Sequence, residues 1–560
     1  MGERIGRRSF IVGGMAAVAG AALGGPALGE AGGLILPGTA DAASAPRSNG
    51  PGRNGISKGS PKRGGSLTYG TDSEEQGFDP TTAEWDENGY MYGLTVFDPL
   101  TAVTTSGQVV PYLAQSITPN SEYTSWTITM RPNIDFHDGT PCDGAALYTN
   151  LQKQSTSILT AAVFSQFVAG ISQTGPLSVR VDMRDPWVTF PYYTSAASQV
   201  GYIAAPSMLN NPDGNLHPVG TGPFVYESWN PNDHFTATRN AKYWRNGYPF
   251  LDRITYKPIA DSDARSEALQ AGNIDMMNTD TPQIIVLYRG KQEWSYVDDS
   301  GAIVGEPNVS CIQLNCGAPP FNDKNARLAM AKSYSQEQEA RIIGLGITEP
   351  VNSPFVKGTP YYSNTSYPGY DLAGAKAAVK AYERTAGKPL SFTLGYIPDS
   401  TVQRTALYLQ QHYQNAGMKV TLSVIDQNAL ISDAVAGKYE AVTWRQFGTV
   451  NPDLNYVFWS ADTVSNTGIS LNIARNNDPR IQAALTTGRQ STDAAARIKA
   501  YQSIGEYLAQ DLPYTWLSRA VWAIVANPKV ENFNNPTAPN GSNLIGMSSG
   551  STWPTQVWVS

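Results

Sequence analysis

The stretch Leu390–Asp426, LSFTLGYIPDSTVQRTALYLQQHYQNAGMKVTLSVID, decides the fold class. LSFTLGYIP and KVTLSVID alternate apolar and polar residues as strands do, and TVQRTALYLQQHYQNAGM between them has helical spacing. Strand, helix and strand in that order make a crossover unit, so an α/β lobe is expected around it. Working outward, AVTWRQF is a short apolar strand, while NDKNARLAMAKSYSQEQEARIIG, LAGAKAAVKAYERTAG and the run from Asp478 to Pro513 are helical. Upstream the character changes. GGSLTYGT, LSVRVDMRD, GTGPFVYESW and HFTATRN read as strands, and SWTITMRPNIDFHDGTP as a hairpin followed by turns. YMYGLTVFDPL resembles a short helix ending at Asp98-Pro99. Asp143 caps a helix over DGAALYTNLQKQSTS, and Gly272 closes one in DSDARSEALQAGNIDMM. YTWLSRAVWAIVANP supplies strand again near the C-terminus. A chain that leaves one unit, builds a second and returns has two lobes joined by crossing strands. No tandem repeat is visible.

The 560 residues carry a net charge of −7, with 41% hydrophobic and 16% charged residues. That composition suits a globular body with ample core, and the acidic balance opposes general nucleic-acid binding, which needs a basic face. Residues 1–45 read as a twin-arginine export signal: Arg7 and Arg8 precede a mildly apolar run from Phe10 to Leu28, and small-residue cleavage sites follow at Ala40-Asp41-Ala42 and Ala43-Ser44-Ala45. Gly and Ala dominate the run, which favours a signal over a permanent anchor. Residues 46–63, rich in Gly, Pro, Ser and basic residues, read as a flexible linker. The three cysteines, Cys142, Cys311 and Cys316, leave at least one free thiol in a monomer. Cys311 and Cys316 lie too far apart on one extended segment to bridge. Cys142 could pair with either, and buried free thiols are the simpler reading. The four histidines, at 137, 217, 234 and 412, show no metal-ligand spacing, so no metal and no cofactor are expected. No G-x-S-x-G elbow appears, which weakens the alternative of a secreted hydrolase.

A series of ordered motifs carries a resemblance. They are RGGSLTYGT, FDP with VFDPL, VVPYLAQS, WTITMRPNIDFHDGTP, HPVGTGPF, RNAKYW with LDRITYKPI, DARSEALQAGNIDMM, APPFNDKNARLAMAKS, and AVTWRQFG with NPDLNYVFWS. Together they resemble the peptide/nickel branch of ABC-importer solute-binding proteins, the extracellular solute-binding protein family 5. The resemblance implies a two-lobed periplasmic-binding-protein fold of class II, the large peptide-binding type with an extra subdomain. It implies a first lobe over 64–306 with a subdomain inserted at about 98–179, a second lobe over 307–514, and a return to the first lobe over 515–560. It further implies a monomer without catalysis, exported to the periplasm or cell envelope, that captures a peptide or other small organic solute between closing lobes for an ABC permease. HPVGTGPF, RNAKYW and His137 read as scaffold, because no titratable groups converge on them.

Two stretches match the family's ligand-facing positions. TTAEWDENG supplies Glu84, Trp85 and Asp86; TWRQFG supplies Trp444, Arg445 and Phe447. Oligopeptide-binding relatives usually carry an Asp at the end of the second stretch, pairing with the peptide ammonium. Phe447 cannot make that pair, although Glu84 or Asp86 could supply the charge from the other lobe. The aromatic residues suit stacking, and Arg445 is a fork for a carboxylate or phosphate unless Glu84 or Asp86 already pins it. An oligosaccharide or anionic metabolite is therefore the alternative cargo. NPDL, with Asp453, is expected to pack beyond the pocket.

Overall fold

The computed structural model describes residues 54–560 except 58, 84, 158–159, 161–163, 165, 300–307, 447–449 and 466–469, with the backbone alone at 428 and 446. The export signal read over 1–45 and much of the linker lie outside the described residues, as do Glu84 and Phe447.

The crossover unit forms as its periodicity demands. Strands Ser391–Tyr396 and Lys419–Val424 pair in parallel, and helix Ser400–Asn415 connects them. Asp399 caps that helix through the amides of Thr401 and Val402, and Ala406, Leu409 and Tyr413 turn inward from it. These strands belong to a six-stranded sheet in the order Glu349–Pro350, Tyr514–Arg519, Val309–Leu314, Ala441–Gln446, Ser391–Tyr396, Lys419–Val424. A seven-stranded sheet forms the first lobe, in the order Ser295–Asp298, Ala523–Ala526, Met276–Thr279, Ser66–Thr71, Arg253–Pro258, His234–Arg239, Phe224–Asn230. The segment expected as a subdomain builds a four-stranded antiparallel sheet whose strand Ser178–Met183 runs past residue 179.

The chain crosses from the first sheet to the second after Asp298. It crosses back at Ala520–Trp522 rather than at 515, because Tyr514–Arg519 is still paired to Val309–Leu314. The two crossings are tied together. Arg519 Nη2 donates to the Asp299 carbonyl (2.7 Å), and the Trp522 amide donates to Asp299 Oδ1 (3.0 Å). The largest buried cluster draws Tyr69, Phe97 and Trp126 from the first lobe together with Leu454, Tyr501 and Trp516 from the second; a separate cluster fills the far side of the six-stranded sheet.

The family motifs meet at one buried carboxylate. Asp98 of VFDPL accepts from Thr221 Oγ1 (2.9 Å) of HPVGTGPF, and from Tyr243 OH (2.8 Å) and Trp244 Nε1 (2.8 Å) of RNAKYW. Burial lifts its pKa to about 6 against those hydrogen bonds. Gly222 lies so close to Val96 that a Cβ there would fall 2.5 Å from the Val96 carbonyl carbon, so this turn needs glycine. His137 closes the junction, its Nε2 lying 3.0 Å from the Gly222 carbonyl, and burial lowers its pKa to about 4. All three cysteines are free thiols, and Cys316 lies beyond the end of strand Val309–Leu314.

Candidate functional site

One wall of the cleft between the lobes is the loop after Ser66–Thr71 and the helix Glu87–Val96 it feeds. Asp86 is that helix's cap. Its Oδ1 accepts from the amides of Asn88 (2.8 Å) and Gly89 (3.2 Å), and Ser73 Oγ donates to Oδ2. Asn88 Nδ2 donates to Asp72 Oδ1 (2.8 Å), and Asn278 Nδ2 donates to Asn88 Oδ1 (3.1 Å). Capping makes Glu87 the first helical residue, where Asn308 Nδ2 donates to its Oε1 at 3.2 Å. Burial holds the Glu87 carboxyl well above the usual range; Arg445 opposes this and Asp86 and Asp72 add to it. Burial and Asp86 push Glu75 up as well.

The opposite wall is the strand Ala441–Gln446. Arg445 Nη1 donates to Asp280 Oδ2, just past the end of strand Met276–Thr279 in the first lobe, and its guanidinium carbon lies 4.7 Å from the centre of the Trp522 ring. The pair therefore spans the cleft beside the returning crossing. Its side chains are 31% and 29% exposed, between those of a surface pair and a buried one. Burial raises the Asp280 pKa, opposed by Arg445 and assisted by Asp72 and Asp399.

Next to Glu87 lies a small cavity of about 60 Å³. Tyr90 and Leu94 of the helix, Val450 of the second lobe, and Ile545 and Trp553 of the returning chain supply apolar walls. Glu87 is the charged residue among its described lining.

The expected site residues thus separate. Trp85 is 1% exposed and belongs to the first lobe's core. Its ring stands edge-on to Tyr90 and Tyr202 at 5.8 and 5.1 Å and stacks on Phe97 at 6.2 Å. Gly89 and Gly93 make room for it: a Cβ at Gly89 would meet the Trp85 Cβ at 2.5 Å. Asp86 serves as a helix cap. Arg445 is indeed pinned, by Asp280 rather than by Asp86. Trp444, half-buried between two apolar clusters, is adjacent to Arg445 on a strand, so the two side chains take opposite faces of the sheet. Glu84 and Phe447 lie outside the described residues. Asp453 packs beyond the cavity, fully buried, accepting from Trp187 Nε1 (2.8 Å) and Thr189 Oγ1 (2.6 Å) and paired to Arg489 (2.8 Å).

Sequence reasoning passed over Glu87, Asp280 and the wall from Ile545 and Trp553. Glu87 stands beside the quoted Asp86, and an acid in a first helical turn is a legible signal. Asp280 follows a strand's carboxyl end, where α/β sheets bind ligands. Ile545 and Trp553 reach the site through the chain's return, which leaves no local mark. Among the described residues, no group of three or more His, Cys, Asp or Glu is placed to hold a metal ion, and no helix is long and apolar enough to cross a membrane.

Comparison with known proteins agrees with this architecture. The family model for bacterial extracellular solute-binding proteins, family 5 Middle, matches residues 108–468. Glutathione-binding protein GsiB of Pectobacterium atrosepticum is 24% identical over 434 residues, covering 73% of this chain and 80% of that protein. Among solved structures, the ABC transporter-associated periplasmic binding protein DppA of Helicobacter pylori, in complex with peptide STSA, superposes with a TM-score of 0.77 at 19% identity, covering 89% of this chain and 98% of that one. The binding protein AgaA with agropinic acid, from A. tumefaciens R10, gives 0.75 at 21% identity, covering 89% and 99%. With the two-sheet architecture and a family match over more than half its length, this chain belongs to the bacterial extracellular solute-binding proteins, family 5.

Proposed function

We propose that the protein captures a small organic solute in the cleft between its lobes and presents it to an ABC permease, without altering it. The observation that carries this reading is the apolar cavity beside Glu87, walled by a first-lobe helix, by Val450 of the second lobe and by the returning chain. A solute touching walls from both lobes favours the closed form by its differential affinity. The cargoes named for the relatives, a peptide, glutathione and agropinic acid, set the size range considered for this chain. The proposed site comprises Glu87, Tyr90, Val450, Ile545 and Trp553, with Glu84, Trp444 and Phe447 retained from the family match. Arg445, engaged by Asp280, gives less support to an anionic cargo. Export rests on the Arg7-Arg8 pair and its apolar run, which support a twin-arginine route to the cell envelope. The protein acts as a monomer.

Native mass spectrometry of the purified full chain, paired with small-angle scattering before and after removal of the co-purified solute, tests the reading. A released small molecule and a more extended stripped form are expected. An identical shape in both states, or chemical conversion of the returned solute, overturns it.

A further inference from the structure

A groove of about 480 Å³ opens on the first lobe, between the turn after strand Ser125–Met130 and the loop after strand His234–Arg239. The first turn supplies Arg131 and Asn133, the loop supplies Lys242, Trp244 and Asn246, and Gln115 closes one side. Its charged lining is wholly cationic, Arg131 and Lys242, with no carboxylate among the residues that form it. Arg131 differs from the arginines described above. Arg445, Arg489 and Arg519 each meet an aspartate, and the buried Arg265 donates to the carbonyl oxygens of Asn278, Ile259 and Ala260. Arg131 is half-buried, yet among the described residues its guanidinium makes a single hydrogen bond, from Nε to the Tyr112 carbonyl at 2.8 Å. That bond and the Trp244 ring, 5.4 Å from the guanidinium carbon, hold the fork in place while neither terminal nitrogen donates to a protein group. Lys242 is exposed and forms no ion pair among the described residues. Burial and the neighbouring Arg245 hold the Arg131 pKa below the usual arginine range, as befits a cation with no anion beside it.

A partly desolvated guanidinium gains most from a charged acceptor that it can grip at two points. Two free cations together favour a doubly charged group, which a phosphate monoester is at neutral pH and a carboxylate is not. Around the cations stand the exposed amides of Gln115, Asn133 and Asn246, whose side chains make no hydrogen bond among the described residues. Each offers both a donor and an acceptor, the pairing that a hydroxyl group needs.

We propose that this groove is a second ligand site, taking a phosphate monoester on a hydroxyl-rich body of sugar size. Arg131 grips the phosphate, Lys242 supplies the other positive charge, and the amides read the hydroxyls. The site is independent of cargo capture. No residue lines both it and the cavity beside Glu87, and the buried Tyr112 ring stands between them, 5.9 Å from Trp244 and 5.1 Å from Trp553.

The test is calorimetry on the full-length protein with glucose 6-phosphate, gluconate, glucose and inorganic phosphate. Glucose 6-phosphate is expected to bind about tenfold or more tighter than each of the others. Arg131→Gln should weaken it by about tenfold or more, and Lys242→Ala by about threefold or more. Lys242→Ala, at an exposed residue, decides the location even where Arg131→Gln lowers the melting temperature. Both variants should keep the co-purified solute in the native mass spectrum. Inorganic phosphate binding as tightly as glucose 6-phosphate overturns the hydroxyl-rich body, and gluconate binding as tightly overturns the phosphate. Binding that survives both substitutions, or no binding of any probe, overturns the site and leaves solute capture standing. Loss of the co-purified solute from the Lys242→Ala protein overturns the independence of the two sites.

Discussion

Two Asp–Arg pairs lie where the lobes meet, Asp280–Arg445 across the junction and Asp453–Arg489 on its second-lobe side, and they differ in what surrounds them. Asp453 and Arg489 are 0% and 2% exposed. Trp187 and Thr189 of the first lobe donate to that carboxylate, Tyr193 OH donates to the Asp453 carbonyl, and the guanidinium lies over Phe167 and Tyr456 at 3.8 and 4.1 Å. The Asp280 and Arg445 side chains are 29% and 31% exposed, and the guanidinium lies over the Trp522 ring. The same ion pair is a fixed joint in one place and a releasable contact in the other. Burial decides which, because a buried charge that loses its partner cannot fall back on water, whereas a half-exposed one can. A protein that must open and close can afford rigidity only at the seam away from its cargo.

The comparison breaks most sharply at the seam. Arg489→Ala leaves Asp453 buried without its cation, and the loss should be about 3–5 kcal/mol in urea unfolding. A loss under about 1 kcal/mol would put this pair in the same class as an exposed one.

The third pair, Asp299–Arg519 at the crossings, sharpens the comparison through pH. Burial raises the Asp299 pKa to about 7 despite the attraction of Arg519. The folded state therefore holds a proton that the unfolded chain releases near its ordinary, lower pKa. The stability this contributes is complete below that ordinary value and is lost as pH rises through about 7. Thermal melts should show the midpoint falling between mildly acidic and neutral pH, with a shallower fall in Asp299→Asn. Parallel profiles for the two proteins would remove Asp299 as the cause.

The smallest stability effect is expected in the cleft. Asp280→Asn should change unfolding free energy by less than about 1 kcal/mol. Scattering should nevertheless show a larger radius of gyration for the stripped variant than for the stripped parent. An unchanged radius would mean that Arg445 and Asp280 do not hold the lobes together.

How far the sequence could be read depended on how local each feature was. The crossover unit, the Asp143 cap and the Gly272 turn, which has φ +76°, all appear where spacing put them, because periodicity and capping involve residues a few positions apart. The scaffold motifs were visible as separate strings, yet nothing in them says that Thr221, Tyr243 and Trp244 share one oxygen-rich partner in Asp98. The family resemblance puts Trp85 among the ligand-facing residues; Gly89 and Gly93, a turn apart on the next helix, open a slot that buries it. Arg445 was recognised as a group needing a carboxylate, but the one it has lies 165 positions away.

The order of apolar and polar residues thus determined the strands, helices and two-lobed plan of this chain, since those depend on neighbours along the backbone. Which acid meets which arginine, and which carboxylate is left facing the cavity, was decided by tertiary structure alone. Charge pairing and desolvation depend on distance through space, and that distance exists only once the chain has crossed between its sheets and returned.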